Sequence, residues 1–155
     1  MLIFLVAYNK FNVFVEYLMS QVVDLFGTTP GTDSDVCKVY LSNTTPDAEL
    51  DLVKADLAEI TAENGYTAGG ETIDNNGVRS TTTVTFSGVS VQWTASGGTI
   101  GPFQYVVLYD DTHASDALIA WWDHGSSITL ADGESFSVLF NGAAVGSRGD
   151  IFTLV

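Results

Sequence analysis

Both histidines of this chain stand beside carboxylates, and a histidine nitrogen with carboxylate oxygens is a usable metal-ligand set. Asp110-Asp111-Thr112-His113 with Asp116 forms one acidic cluster, and Trp121-Trp122-Asp123-His124 forms a second site. Neither follows a known metal pattern. No HExxH-like helical spacing is present. A calcium loop needs a central glycine and a closing glutamate, and residues 110–116 have neither. Both groups are expected in a solvated loop between strands, without a metal or a cofactor.

The other candidate chemistries fail in the same way. A serine hydrolase needs a GxSxG elbow, which is absent; Gly125-Ser126-Ser127-Ile128 reads as a turn entering a strand. Cys37 is the single cysteine, so an intrachain disulfide and a cysteine-based zinc site are both excluded. With no histidine nearby in sequence, it reads as a small buried hydrophobe on the inward face of a strand. Nineteen acids offer many carboxylate pairs for glycoside hydrolysis, and that abundance singles out none of them. Gly97-Gly98-Thr99-Ile100-Gly101 lacks the lysine and following helix of a phosphate loop. Arg148-Gly149-Asp150 spells an adhesion tripeptide but reads as a turn into the last strand, and Asn43-Thr44-Thr45 fits the glycosylation pattern of secreted eukaryotic proteins. No catalytic residue is assigned, and no enzymatic activity is expected.

Trp93, Trp121 and Trp122 could stack on sugars. Adjacent residues on a strand point to opposite faces, so at most one of Trp121 and Trp122 faces the core. The other lies on a second buried layer, a subunit contact or a ligand surface. Subunit contact is the favoured reading, because aromatics are enriched in interface cores.

The elements that must position these residues follow from periodicity. Met1–Ala7 is uninterruptedly apolar. It is too short for a bilayer, which takes about 20 residues, and it lacks the basic front of a signal peptide. It reads as an apolar arm or first strand that something must cover, or as an upstream extension of a beginning near Ala7. From Asn9 to Phe26, Phe11, Phe14, Val15, Leu18, Val22, Leu25 and Phe26 recur at three- and four-residue steps, which predicts an amphipathic helix ending at Gly27. Residues 47–60 carry Leu50, Val53, Leu57 and Ile60 at helical spacing and predict a second short helix.

The rest reads as strands: residues 36–41, 83–87, 89–95, 104–109, 117–122, 128–130, 135–140 and 151–155. The runs 104–109 and 117–122 are apolar without alternation, as strands buried on both faces would be. Asp132-Gly133 is a hairpin signal. The expected fold is mainly β, an antiparallel sandwich or barrel with an N-terminal helix. It is one compact domain in which residues 1–26 form the arm and helix and residues 27–155 the β-rich part.

Five Lys and Arg against 19 Asp and Glu leave a net charge of −14. Such a surface repels phosphates, which argues against nucleic-acid binding. Ser80 to Tyr109 holds no charge at all yet is rich in Ser and Thr. Strand edges there lack the lysines and prolines that discourage edge pairing, so other strands or another chain must cover them.

Several segments resemble a group of small tailed-phage proteins encoded among the virion genes. They are Ala7-Tyr-Asn-Lys-Phe-Asn-Val-Phe-Val-Glu16, Leu41-Ser-Asn-Thr-Thr-Pro46, Ala55-Asp-Leu-Ala-Glu-Ile60 and Asn64-Gly-Tyr-Thr-Ala-Gly-Gly70. Gly101-Pro-Phe-Gln-Tyr-Val-Val-Leu-Tyr-Asp110, Trp122-Asp-His-Gly-Ser-Ser127 and Leu130-Ala-Asp-Gly-Glu-Ser-Phe136 continue the likeness, which runs from Ala7 to the end and leaves out the first six residues. The resemblance implies a non-enzymatic virion protein with no catalytic residues to carry over. Within that class it favours a capsid decoration (cement) protein, a homo-oligomer, by preference a trimer, bound to the major capsid protein on the outer surface of the head, with no nucleic-acid or membrane partner. A tail or neck component and a carbohydrate- or receptor-binding module are the alternatives.

The adhesive surface is expected on the arm and the helix stripe, with Leu2, Phe4, Tyr8, Phe11, Phe14 and Leu18 as interface residues joined by Trp121 and Trp122. Deleting Met1 to Lys10 is expected to leave a soluble fold that no longer binds the shell.

Overall fold

A computed structural model of the chain describes residues 2–4 by their strand pairing and residues 8–155 in full. The expectations for Met1 and for Leu5–Ala7 lie outside the described residues, as do those for the side chains of Leu2 and Phe4. In chain order the elements are β1 (Leu2–Phe4), β2 (Asn9–Lys10), α1 (Val13–Met19), β3 (Cys37–Ser42), β4 (Glu71–Thr72) and β5 (Asn76–Ser80). There follow β6 (Thr83–Val89), β7 (Val91–Thr94), β8 (Ile100–Asp110), β9 (Leu118–Leu130), β10 (Ser135–Val138) and β11 (Arg148–Leu154).

The strands make three sheets. The largest runs β2-β9-β8-β3-β4 and is antiparallel throughout. The second runs β1-β10-β7, with β1 parallel to β10, and the third runs β11-β6-β5. None closes on itself, so of the two expected architectures the fold is sandwich-like.

Side-chain alternation explains the layering. On β3, Cys37, Val39 and Leu41 point into the main core, and on β8 Val106 and Leu108 join them. The same core takes Phe86 of β6, Trp93 of β7, Phe136 of β10 and Phe152 of β11, so one face of the large sheet packs against both small ones. The opposite face of the large sheet carries Tyr40, Tyr105, Val107, Tyr109 and Leu118, covered by Phe11 and Leu57. Burial on both faces is the physical reason that residues 104–109 and 117–122 read as unbroken apolar runs.

The N-terminal helix is much shorter than its periodicity predicts. Asn9 and Lys10 pair with Trp121 and Ala120, and the Phe11 N–H bonds the Ile119 carbonyl (3.2 Å), so the chain enters as a strand. The helix then ends at Met19. The Ser20 hydroxyl bonds the Glu16 carbonyl (2.7 Å), and Gln21 takes a positive φ of 58°. Serine competes in this way with the helix's own hydrogen bonds. Beyond it, Val23 and Leu25 are buried while Asp24 and Phe26 are exposed, a period of two that also satisfies helical spacing at positions 18, 22, 25 and 26.

The second expected helix is a single 3-10 turn at Lys54–Asp56. Aspartates account for the difference. Asp47 Oδ1 accepts the N–H groups of Glu49 and Leu50, and Asp56 Oδ2 accepts those of Leu52 and Val53. These turns replace the helical ladder and leave Leu50 exposed while Leu57 is buried. Residues 52–60 instead brace the large sheet, through Lys54 N–H to the Asp116 carbonyl, Leu118 N–H to Leu52 and Ile60 N–H to Leu41.

Candidate interaction surface

The first histidine site is a turn after β8, as expected, whereas the second lies within β9 instead of a loop, at an irregularity of its pairing with β8. Asp110 Oδ1 accepts the N–H groups of Thr112 (2.8 Å) and His113 (3.3 Å), and the His113 ring engages the Ser115 hydroxyl (2.7 Å). Asp111 forms an ion pair with Lys38 (2.7 Å) and accepts the Tyr109 hydroxyl (3.0 Å). Asp123 accepts Gln104 Nε2 (2.9 Å) and the Gly125 N–H (2.7 Å), while His124 Nδ1 lies 3.1 Å from the Ser126 carbonyl. Among the described residues no three His, Cys, Asp or Glu side chains converge as metal ligands.

The remaining motifs are also built into the fold. Cys37 is fully buried, and burial pushes its thiol well above the ordinary range. Arg148 binds Asp74 through its carbonyl and carboxylate, so the Arg-Gly-Asp run lies in β11 paired with β6. Glu59 is the hub of a polar network on the outer face of the large sheet. It pairs with Lys54 (2.7 Å) and accepts the Tyr66 hydroxyl (2.7 Å) and the Gly69 N–H (2.7 Å). Burial pushes the Tyr40 and Tyr66 hydroxyls far above their usual range, and both bond within the chain, to Leu57 and Glu59.

The expected adhesive stripe is mostly covered by the chain's own sheets. Phe11 is 0% exposed and Phe14 3%. Phe14 packs edge-on against Phe152, and Tyr8 meets the same ring at 5.6 Å. Leu18 is half-buried against the main core. The tryptophan pair does straddle β9, but both faces are occupied. Trp122 lies in the main core beside Phe140, and Trp121 packs on Phe11 at 4.5 Å in the second layer. Trp121 is half-buried in this second layer, with part of its ring outside the chain's own packing. Trp93 is buried as well. Phe11, Phe14 and Trp122 therefore hold the monomer together instead of offering open surface.

Open surface lies on the sheet β11-β6-β5. Among the described residues no strand pairs with β5 or β11 on the side away from β6. At its start β5 is tied to the segment after α1, where the Gly77 N–H reaches the Gly27 carbonyl (2.8 Å); from Val78 to Ser80 its residues are exposed. Val78, Thr85 and Thr153 share the outer face across the three strands, with Val78 48% exposed and the two hydroxyls 3.3 Å apart.

The inner face borders a cavity of about 490 Å³ between this sheet and residues 18–26, lined by Leu18, Val23, Phe26, Val84, Phe152 and Leu154 among others. Phe26 and Leu154 stand at 57% and 47% exposure. Residues 75–109 contain no acid, and Arg79 is their only charge. The lack of charge from Ser80 onward points to this surface in the sequence. The strand β5 that completes it does not stand out, because Asn-Gly-Val-Arg-Ser has no apolar alternation to read.

The chain matches no family model, no curated protein and no solved structure. Among the described residues no helix is long and apolar enough to cross a membrane.

Proposed function

We propose that the chain is a non-enzymatic structural protein of a tailed-phage virion. Within that class it is a decoration (cement) protein that binds the major capsid protein on the outer surface of the head as a small cyclic oligomer, most simply a trimer. The resemblance from Ala7 to the end supports the class. The observation that carries the assembly is the unequal placement of charge. Three copies of a chain of −14 carry −42. Like charges brought together cost several kcal/mol, so contacts between copies favour surface without acids.

Apart from Asp150, exposed on β11 opposite Ser87, the outer face and open edges of β11-β6-β5 meet that condition, and exposed Val78 and Leu154 supply apolar area. A standard interface takes about 800 Å² from each partner. That is roughly a tenth of this chain's 7369 Å², within reach of one small sheet and its apolar rim. The adhesive surface accordingly moves from the N-terminal stripe to this sheet. The informative truncation becomes Met1–Ala7, since removing Asn9 and Lys10 would take away β2 and its pairing with β9.

The test is to add purified protein to heads that lack it and to image the particles. Regular density over the head surface is the expected result. Density confined to the neck or tail would replace the reading with the tail alternative, and no bound density would overturn the virion assignment for mature particles. Light scattering on the eluting protein is expected to give a trimer. A monomer at every concentration would remove the oligomer from the proposal.

A further inference from the structure

Asp110 is fully buried at the end of β8, directly opposite Cys37 in the β3–β8 register. Its Oδ1 takes two backbone N–H groups, as above, but its Oδ2 meets no donor. A buried carboxylate oxygen without a partner costs as much as a lost hydrogen bond or more. What Asp110 faces is the carboxyl group of Asp35, at hydrogen-bonding range, from the segment that leads into β3.

Asp35 is itself held tightly. Its Oδ2 accepts the Asp24 N–H (2.6 Å), its own N–H bonds the Asp24 carbonyl (2.7 Å), and its carbonyl accepts Asn75 Nδ2 (2.9 Å). Two carboxyl oxygens attract only when a proton lies between them.

Among the described residues no cation is spent on the pair. From β3, Cys37 presents a buried thiol and Lys38 is committed to Asp111. From the β8–β9 turn, Thr112 accepts the Val36 N–H and the His113 ring engages Ser115. From the facing segment, Asp24 caps its own turn at Phe26, and Asn75 is neutral.

We infer that Asp35 and Asp110 share one proton and form a clasp that fastens residues 24–36 to the end of β8 in acid and loosens when that proton is lost. The proton turns the orphaned oxygen into half of a carboxyl–carboxylate hydrogen bond. Burial pushes the Asp110 carboxyl up to about 6, against the pull of the Thr112 N–H, and the Asp35 charge adds to the rise. The clasp is therefore closed at pH 5 and loosened at pH 8. Its segment includes Asp24, Leu25 and Phe26, one wall of the cavity beside the small sheet, and the Leu25 carbonyl lies against Gly77 of β5. Loosening reaches the open sheet by that route, whatever the sheet binds.

Hydrogen exchange at pH 5 and pH 8, corrected for intrinsic rates, tests the clasp in the whole protein. Protection of the amides in residues 24–36 is expected to drop about tenfold or more at the higher pH, as a lost proton-linked contact would give. Asp35→Asn and Asp110→Asn each put an amide donor where the shared proton lies, so both variants are expected to keep protection at pH 8. Unchanged protection in the wild type would overturn the inference, and so would a pH dependence that survives in either variant. Should a variant fail to fold, carboxyl carbon shifts of the wild type decide. A step near pH 6 at Asp110 is expected, and ordinary carboxylate titration there would overturn the clasp.

Discussion

The large sheet, built around strands of 11 and 13 residues, and the small sheet β11-β6-β5, with strands of five to seven, differ in how many of their faces are covered. Where strands β8 and β9 run over residues 105–110 and 118–122, they bury side chains on both faces, so a substitution there meets a neighbour. The small sheet buries only its inner face, through Phe86 and Phe152, and shows solvent a lattice of Thr, Ser and Val. Stability is concentrated in the first. The second keeps an exposed outer face.

The sharpest way to break that division is at the tryptophan pair. Trp122→Ala is expected to cost about 3–5 kcal/mol by removing a core side chain packed on Phe140, read as a shift in the urea midpoint. Trp121→Ala, with one ring face on Phe11 and the rest half-exposed, is expected to cost less. If Trp122→Ala left stability intact and changed only association, the large sheet would not be the stabilising one.

Next in size is the response to pH. The folded Asp110 carboxyl titrates near about 6, above its ordinary 3.8, so between those values the folded chain holds more protons than the unfolded one. Stability must then fall as pH rises from about 4 to about 6 and level off above, by up to about 3 kcal/mol. Asp56 runs the other way. The Leu52 and Val53 N–H groups hold its carboxyl below the ordinary range, and its contribution is lost as pH falls below about 4. Urea midpoints between pH 3 and pH 8 are expected to peak near pH 4, and Asp110→Asn is expected to flatten the descending side.

The smallest effect on folding is expected on the small sheet's outer face. Val78→Asp and Thr85→Asp should change stability by no more than about 0.5 kcal/mol, as exposed substitutions do. Their effect should fall on association, weakened about tenfold or more in sedimentation, because an acid placed in a fully desolvated contact costs at least about 1.4 kcal/mol. Equal losses of stability and association would place this face inside the folding core and remove the contrast.

How much of this could be read from residues alone depends on which signal each segment carries. Strands with a single dominant pattern are legible: β3 shows Cys37, Val39 and Leu41 on one face, and β8 and β9 show the continuous runs that two-sided burial demands. The helix is overread because Leu25 fits both the helical spacing of positions 18, 22, 25 and 26 and a period of two with Val23, and a serine hydroxyl decides between them. The 47–60 segment is overread because its aspartates bond backbone N–H groups locally. The burial of Phe11 depends on β2 pairing with β9 more than 100 residues away, which no local spacing encodes. The absence of charge from Ser80 to Tyr109 points to the open sheet that holds β6, while Asp35 and Asp110, 75 positions apart in the chain, have no local signature.

The strand order of the small sheet bears on how the protein is made. Its central strand β6 ends at Val89, but its third member, β11, spans Arg148–Leu154. During synthesis the β5–β6 hairpin must wait for some sixty further residues before β11 can close over Phe86, and domains generally mature only once their distant segments have emerged. A chain interrupted before that point lacks the finished sheet, with β6 left unpaired on the side that β11 takes.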